Sequence, residues 1–146
     1  MDSVELAVFS GRLSAICEEM GFTLQRTALS PNIKDRLDYS CAFFDFKGCI
    51  CSQAAHIPVH LGSMAYAMTE VVNLFEWGNG DVVVLNDPFL GGTHLPDVTL
   101  ISPVFFDGRM VGFFANRAHH ANIGASSPGS MPLSSDPKSE GVLISP

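Results

Sequence analysis

The sequence predicts an α+β fold: a long N-terminal helix packed on an antiparallel or mixed sheet of about five strands, with a second helix set among the strands. Three observations carry this. Apolar residues recur at three- and four-residue steps over positions 4–28. Short β-prone runs follow, two pairs of them joined by glycine turns that impose antiparallel neighbours. A second helical stretch lies between the two hairpins.

The first helix covers positions 4–28, with Leu6, Phe9, Leu13, Ile16, Cys17, Met20 and Leu24 on one stripe. Asp2 or Ser3 would cap its start. Gly11 and Gly21 each weaken it by about 1 kcal/mol relative to alanine, and Ser30-Pro31-Asn32 ends it. Strands are expected at 39–46 and 49–54, joined through Phe46-Lys47-Gly48. The second helix is read over 61–77 with Met64, Met68, Val71, Val72 and Phe75 inward, closed by Gly78-Asn79-Gly80-Asp81. The apolar run 82–85 suits a strand buried on both faces. Strands at 98–106 and 110–116 then flank Asp107-Gly108, a strong hairpin signal. Residues 124–146 are rich in Ser, Pro and Gly and read as a loop leading into a missing C-terminal remainder, so that 1–123 form the α+β part.

Composition narrows the function. Of 146 residues 47% are hydrophobic and 16% charged, and mean hydropathy is +0.25, which suits a folded core and surfaces covered by further protein. Eight Lys+Arg against 15 Asp+Glu give a formal charge of −7. This argues against nucleic acid and anionic membranes as partners. No apolar run approaches the ~20 residues of a membrane span, and Met1-Asp2-Ser3-Val4-Glu5 lacks an export signal. A cytoplasmic protein with reduced thiols is expected, its four cysteines (Cys17, Cys41, Cys49, Cys51) being core or spectator residues.

The chemistry concentrates in three segments holding all five histidines: residues 55–63 with His56 and His60, 86–97 with His94, and 116–124 with His119 and His120. The middle segment follows a strand and combines Asp87, Gly91-Gly92, His94 and Asp97, with Pro88 and Pro96 stiffening the loop. An imidazole and a carboxylate three residues apart suit Zn²⁺, Mn²⁺ or Fe²⁺, or else form a simple hydrogen-bonded loop pair. A further ligand would come from His119 or His120; strand alternation points these two in opposite directions, so one at most binds directly. His56 and His60 have the His-x-x-x-His spacing of a helical zinc pair, but Pro58 between them argues against a helix. Arg117 beside the histidines would either bind a carboxylate or carbonyl substrate or pair with Asp87 or Asp97. The glycines lack the Lys-Ser/Thr ending of a P-loop, and no dinucleotide fingerprint is present.

Longer motifs then stand out: Glu18-Glu19-Met20-Gly21, Leu24-Gln25-Arg26-Thr27-Ala28, Asp38-Tyr39-Ser40-Cys41-Ala42, Gln53-Ala54-Ala55-His56-Ile57-Pro58-Val59-His60-Leu61-Gly62-Ser63-Met64, Asn86-Asp87-Pro88, Gly91-Gly92-Thr93-His94-Leu95-Pro96-Asp97, Asn116-Arg117-Ala118-His119-His120 and Ser127-Pro128-Gly129-Ser130-Met131-Pro132. Across essentially the whole chain these resemble the N-terminal part of the hydantoinase B/5-oxoprolinase family, which includes N-methylhydantoinase B subunits and is related to acetone carboxylase subunits. The resemblance implies a metal-dependent component of an ATP-coupled hydrolase that opens a cyclic amide of 5-oxoproline or hydantoin type. ATP and Mg²⁺ would act at a hydantoinase A-type partner within a hetero-oligomer. It implies His94, Asp97 and His120 as ligands of a divalent Mn, Zn or Fe ion, with His56 and Asp87 as outer candidates. His60, His119, Arg117 and Asn116 would be catalytic: His60 or His119 handling the water proton, Arg117 or Asn116 steadying substrate charge. B-type subunits are several times longer, so an incomplete chain, inactive without its remainder and partner, is expected. Two other readings remain: an acetone-type ketone carboxylase subunit, and a non-catalytic assembly module or inactive fragment.

Overall fold

The computed structural model describes residues 2–54, 56–57, 60–129 and 132–146. Helix α1 (Ser3–Thr27) starts at a capping box in which the Glu5 amide donates to Asp2 Oδ1 (2.8 Å) and the Asp2 amide donates to Glu5 Oε2 (2.9 Å). Its apolar stripe is only partly used. Cys17 and Gly21 are buried, whereas Leu6 and Phe9 are each 53% exposed. The reason is length: α1 rests on the sheet through its second half, where Ser14 Oγ lies 2.9 Å from Ser52 Oγ, and its first turns are exposed. A short helix α2 (Pro31–Lys34) follows the predicted stop.

Strands β1 (Tyr39–Asp45) and β2 (Ile50–Gln53) form the first hairpin, with Gly48 at φ +83° and the Asp45 carboxylate accepting from the Lys47 and Cys49 amides. Helix α3 (Leu61–Val71) ends well before Trp77, where the sequence reading placed its end; the chain turns beyond Val72, and Trp77 Nε1 donates to the Val72 carbonyl at 3.0 Å. Phe75, expected inward, is 40% exposed and stacks edge-on against Trp77. Strand β3 (Val83–Leu85) also departs from expectation. Among the described residues it is an edge strand paired with β4 (Asp97–Phe106) alone, and Val82 is 55% exposed, because a continuous apolar run does not by itself distinguish a central strand from an edge. Strand β5 (Arg109–His119) returns from β4 through Asp107 and Gly108, both at positive φ as the tight hairpin turn requires.

The result is one five-stranded antiparallel sheet in the order β2-β1-β5-β4-β3. Helix α3 covers one face, burying Met64, Met68 and Val71 against Phe44, Ile101 and Phe113; α1 covers the β1 side of the other through Cys17, Tyr39, Cys41 and Phe43. Cys17 and Cys41 are core residues, and burial pushes the Cys41 thiol up to about 12; Cys49 and Cys51 are free and exposed. Among the described residues 124–146 the regular structure is one 3-10 turn, Pro137–Ser139. Buried Asn86 holds this tail in place: its Oδ1 accepts from the Ile144 amide (2.7 Å), and its Nδ2 donates both to the Val142 carbonyl and, closing the loop before β4, to the Leu95 carbonyl (2.8 Å each).

Candidate metal centre

The β4–β5 register pairs Asp97 with His119 and Thr99 with Arg117, so an acid and an imidazole face each other across two central strands. The loop between β3 and β4 brings in His94. Gly91 at φ +82° turns that loop against α3, where a Cβ would lie 2.5 Å from the Ala67 amide nitrogen. The Asp97 amide then donates to the His94 carbonyl at 3.0 Å. The N-cap of α3 is His60, and Asp38 immediately precedes β1, its carbonyl accepting from the His119 amide at 2.9 Å.

Asp97, 1% exposed, is the hub. Its Oδ1 lies 2.8 Å from His119 Nδ1, 3.5 Å from His94 Nε2 and 3.8 Å from His60 Nε2, while Thr93 Oγ1 donates to Oδ2 and orients the carboxylate. His94 Nε2 and His119 Nδ1 are 3.0 Å apart, and His60 Nε2 is 3.5 Å from Asp38 Oδ1. Burial alone would raise the Asp97 pKa. Hydrogen bonds from His119 and Thr93 and the nearby His94 and His60 outweigh it and hold the carboxyl at about 2. The bond to Asp97 raises His119, whereas burial lowers His94 and His60 against the pull of the same carboxylate.

His94, Asp97 and His119 each offer one donor atom, all within 4.8 Å of one another. Their spacing fits a divalent ion. At a radius of about 2.1 Å, ligand atoms at a right angle stand about 3.0 Å apart and at a tetrahedral angle about 3.4 Å, and the separations found here, 2.8, 3.0 and 3.5 Å, lie within about 0.2 Å of that range. Two imidazoles and a carboxylate suit Zn, Mn or Fe.

The sequence-predicted residues separate clearly. His94, Asp97, His119 and His60 come together. His120 does not join them: alternation along β5 sends it to the opposite, α1-side groove beside Leu24, Ile33 and Asn116. In this cluster the position expected of His120 is taken by its neighbour His119. Asn116 lies on the far face for the same reason. His56 packs on Tyr39 (ring centroids 4.5 Å apart), its Nε2 buried without a hydrogen-bond partner among the described residues, and burial lowers its pKa. Asp87 caps the turn Pro88–Leu90 by accepting from the Phe89 amide. Arg117 is fully buried at the centre with every guanidinium nitrogen engaged, and no ion pair among the described residues includes it, Asp87 and Asp97 being the carboxylates expected. Asp38 and Thr93 were not singled out by spacing. Both stand in the quoted motifs, but only the folded chain brings Asp38 across the sheet to His60.

A family model described as hydantoinase B/oxoprolinase matches residues 2–146. The chain is 51% identical over 135 residues to 5-oxoprolinase 1 of Arabidopsis thaliana, covering 90% of this chain and 10% of that protein. Its fold matches the ATP-dependent caprolactamase of Pseudomonas jessenii with a TM-score of 0.87 and 34% identity, over 100% of this chain and 26% of that one. Nucleotide-free acetone carboxylase matches with a TM-score of 0.74 and 25% identity, over 84% and 17%. The chain thus spans between a tenth and about a quarter of these proteins.

Proposed function

This chain belongs to the hydantoinase B/oxoprolinase family, and on that premise we propose that it forms part of the metal-dependent component of an ATP-coupled hydrolase opening a cyclic amide of 5-oxoproline or hydantoin type. The observation that carries the reading is the His94–Asp97–His119 cluster, with Asp97 and His119 buried, His94 half-buried and His60 at its side. A divalent ion held by those three residues would supply Lewis acidity toward a carbonyl and a water acidic enough to ionise near neutral pH.

The chain's own groups have defined tasks. Asp97 and His119 hold their positions through the strand register, and Thr93 keeps one carboxylate oxygen turned toward the imidazoles. Ser40 Oγ donates to the Ile57 carbonyl at 2.6 Å and therefore presents a lone pair to His60 Nδ1, 3.4 Å away. That favours a proton on Nδ1 and leaves Nε2, facing Asp38 and Asp97, to accept one from water. His60 is thus the better base candidate, because His119 serves as ligand. The partner is what the family resemblance implies, and two similar proteins described as ATP-dependent support it. Nucleotide chemistry is accordingly assigned, with Mg²⁺, to a hydantoinase A-type subunit or domain, in a cytoplasmic hetero-oligomer. Residues 124–146 would lead into the rest of a longer subunit.

Elemental analysis of the purified chain tests the first step, with one Mn, Zn or Fe ion per chain expected. In the assembled system Asp97→Ala should lose metal and ATP-dependent 5-oxoproline turnover together; an Asp97→Ala protein with full metal and full activity refutes the assignment. A metal-free wild type would favour the assembly-module reading. The similarity to acetone carboxylase supports one alternative, carboxylation of a ketone. ATP consumption driven by acetone and bicarbonate, and not by 5-oxoproline, would select it.

A further inference from the structure

Arg117 carries a charge into the fully buried interior, and each of its three nitrogens donates to a neutral oxygen. Nε donates to Thr99 Oγ1 (2.7 Å), Nη1 to Ser63 Oγ (2.6 Å) and Nη2 to the Gly91 carbonyl (2.9 Å). Each acceptor stands two or three positions from a member of the cluster: Thr99 from Asp97, Ser63 from His60, Gly91 from His94, as Arg117 itself does from His119. Ser63 completes the link on its side, donating to the His60 carbonyl at 3.1 Å. Three stretches of the chain, 60–63, 91–99 and 117–119, therefore meet at one guanidinium.

We propose that Arg117 is a positioning residue for the metal centre, its planar fork fixing the separation of the segments that bear His60, His94, Asp97 and His119. This replaces the substrate-binding role that the sequence suggested, since the side chain is fully buried and each of its three nitrogens already donates to an oxygen of the protein. The metal part of the idea rests on the function proposed above; the clamping of the loop does not. Lysine keeps the charge and loses the fork, so Arg117→Lys separates the two, and Arg117→Gln removes both.

Two measurements test it: Co²⁺ binding followed by absorption, and amide hydrogen exchange. Supporting structures that orient ligands are worth about 10- to 100-fold in metal affinity. Arg117→Lys and Arg117→Gln should therefore weaken Co²⁺ binding about 10-fold or more, shift its ligand-field bands, and quicken exchange at residues 91–97 while the β1–β2 hairpin stays protected. If either variant fails to fold, Ser63→Ala and Thr99→Val, each removing one arm, should give the same changes at smaller size. Unchanged exchange and unchanged Co²⁺ spectra in folded Arg117→Lys, or in both single-arm variants, overturn the proposal. A wild type that takes up no Co²⁺ overturns the metal reading instead, and loop exchange then decides the clamp alone.

Discussion

At the residue scale, the sharpest result is which of two adjacent histidines belongs to the site. His119 points at Asp97 and His120 at the groove behind the sheet. His119→Ala should abolish bound metal, and His120→Ala should retain it within about 3-fold in dissociation constant; metal analysis of the two purified variants checks this. The His119–Asp97 pair also sets a pH signature for the chelator-treated chain. Asp97 titrates at about 2 rather than 3.8, so its contribution to stability is complete above 3.8 and lost as pH falls through about 2. His119 is raised above 6.5, so its contribution is complete below 6.5 and lost as pH rises through the raised value. The melting-temperature gap between wild type and Asp97→Asn should thus be widest near pH 5 (about midway in that window) and shrink on both sides. A gap independent of pH would mean that the pair adds nothing to folding.

At the scale of elements, local chemistry was legible wherever one residue type dictates a conformation. Asp107-Gly108 announced the β4–β5 hairpin, Gly48 the β1–β2 turn, and Asp2, one of two cap candidates, the start of α1. The period-two rule even stated that His119 and His120 diverge. What alternation could not supply was which one faces inward, because that depends on the register with β4. Burial was less legible. Nothing local marks β3 as an edge or leaves the first turns of α1 bare, since both depend on which neighbour is present. Glycine roles separate in the same way. Gly91→Ala would meet the α3 backbone as well as an unfavourable φ and should cost well over about 1 kcal/mol, whereas Gly108→Ala meets nothing within 4 Å and should cost only the conformational part, about 1 kcal/mol. Urea midpoints of the two variants measure the difference.

At the scale of the whole molecule, the sheet is the frame on which the site converges. Asp38, His60, His94, Asp97 and His119 span most of the chain, yet each stands at or beside an end of β1, α3, β4 or β5. Such a site is assembled by long-range strand pairing and is prepared before any ion arrives. An ion that binds only the folded chain should add about 2.7 kcal/mol of stability at a hundred times its dissociation constant. Zn²⁺ or Mn²⁺ should accordingly raise the melting temperature of wild type, reversibly on chelation, and leave His94→Ala unmoved. The convergence itself was visible in sequence only as clustering of histidines near strand ends, and the family resemblance named the motifs without saying how they meet.

The hairpin that joins β4 to β5 has a consequence for how the chemistry is gauged. Its two-residue tip lies at the far end of a ribbon from Asp97, with one irregularity at Val104 and Phe105 already absorbed along the way. Adding a single residue there and letting the strands slide would offer His120 to the acid in place of His119 and turn Arg117 out of the interior. The tip works as a ruler: a length set at one edge of the protein decides which imidazole is presented at the other.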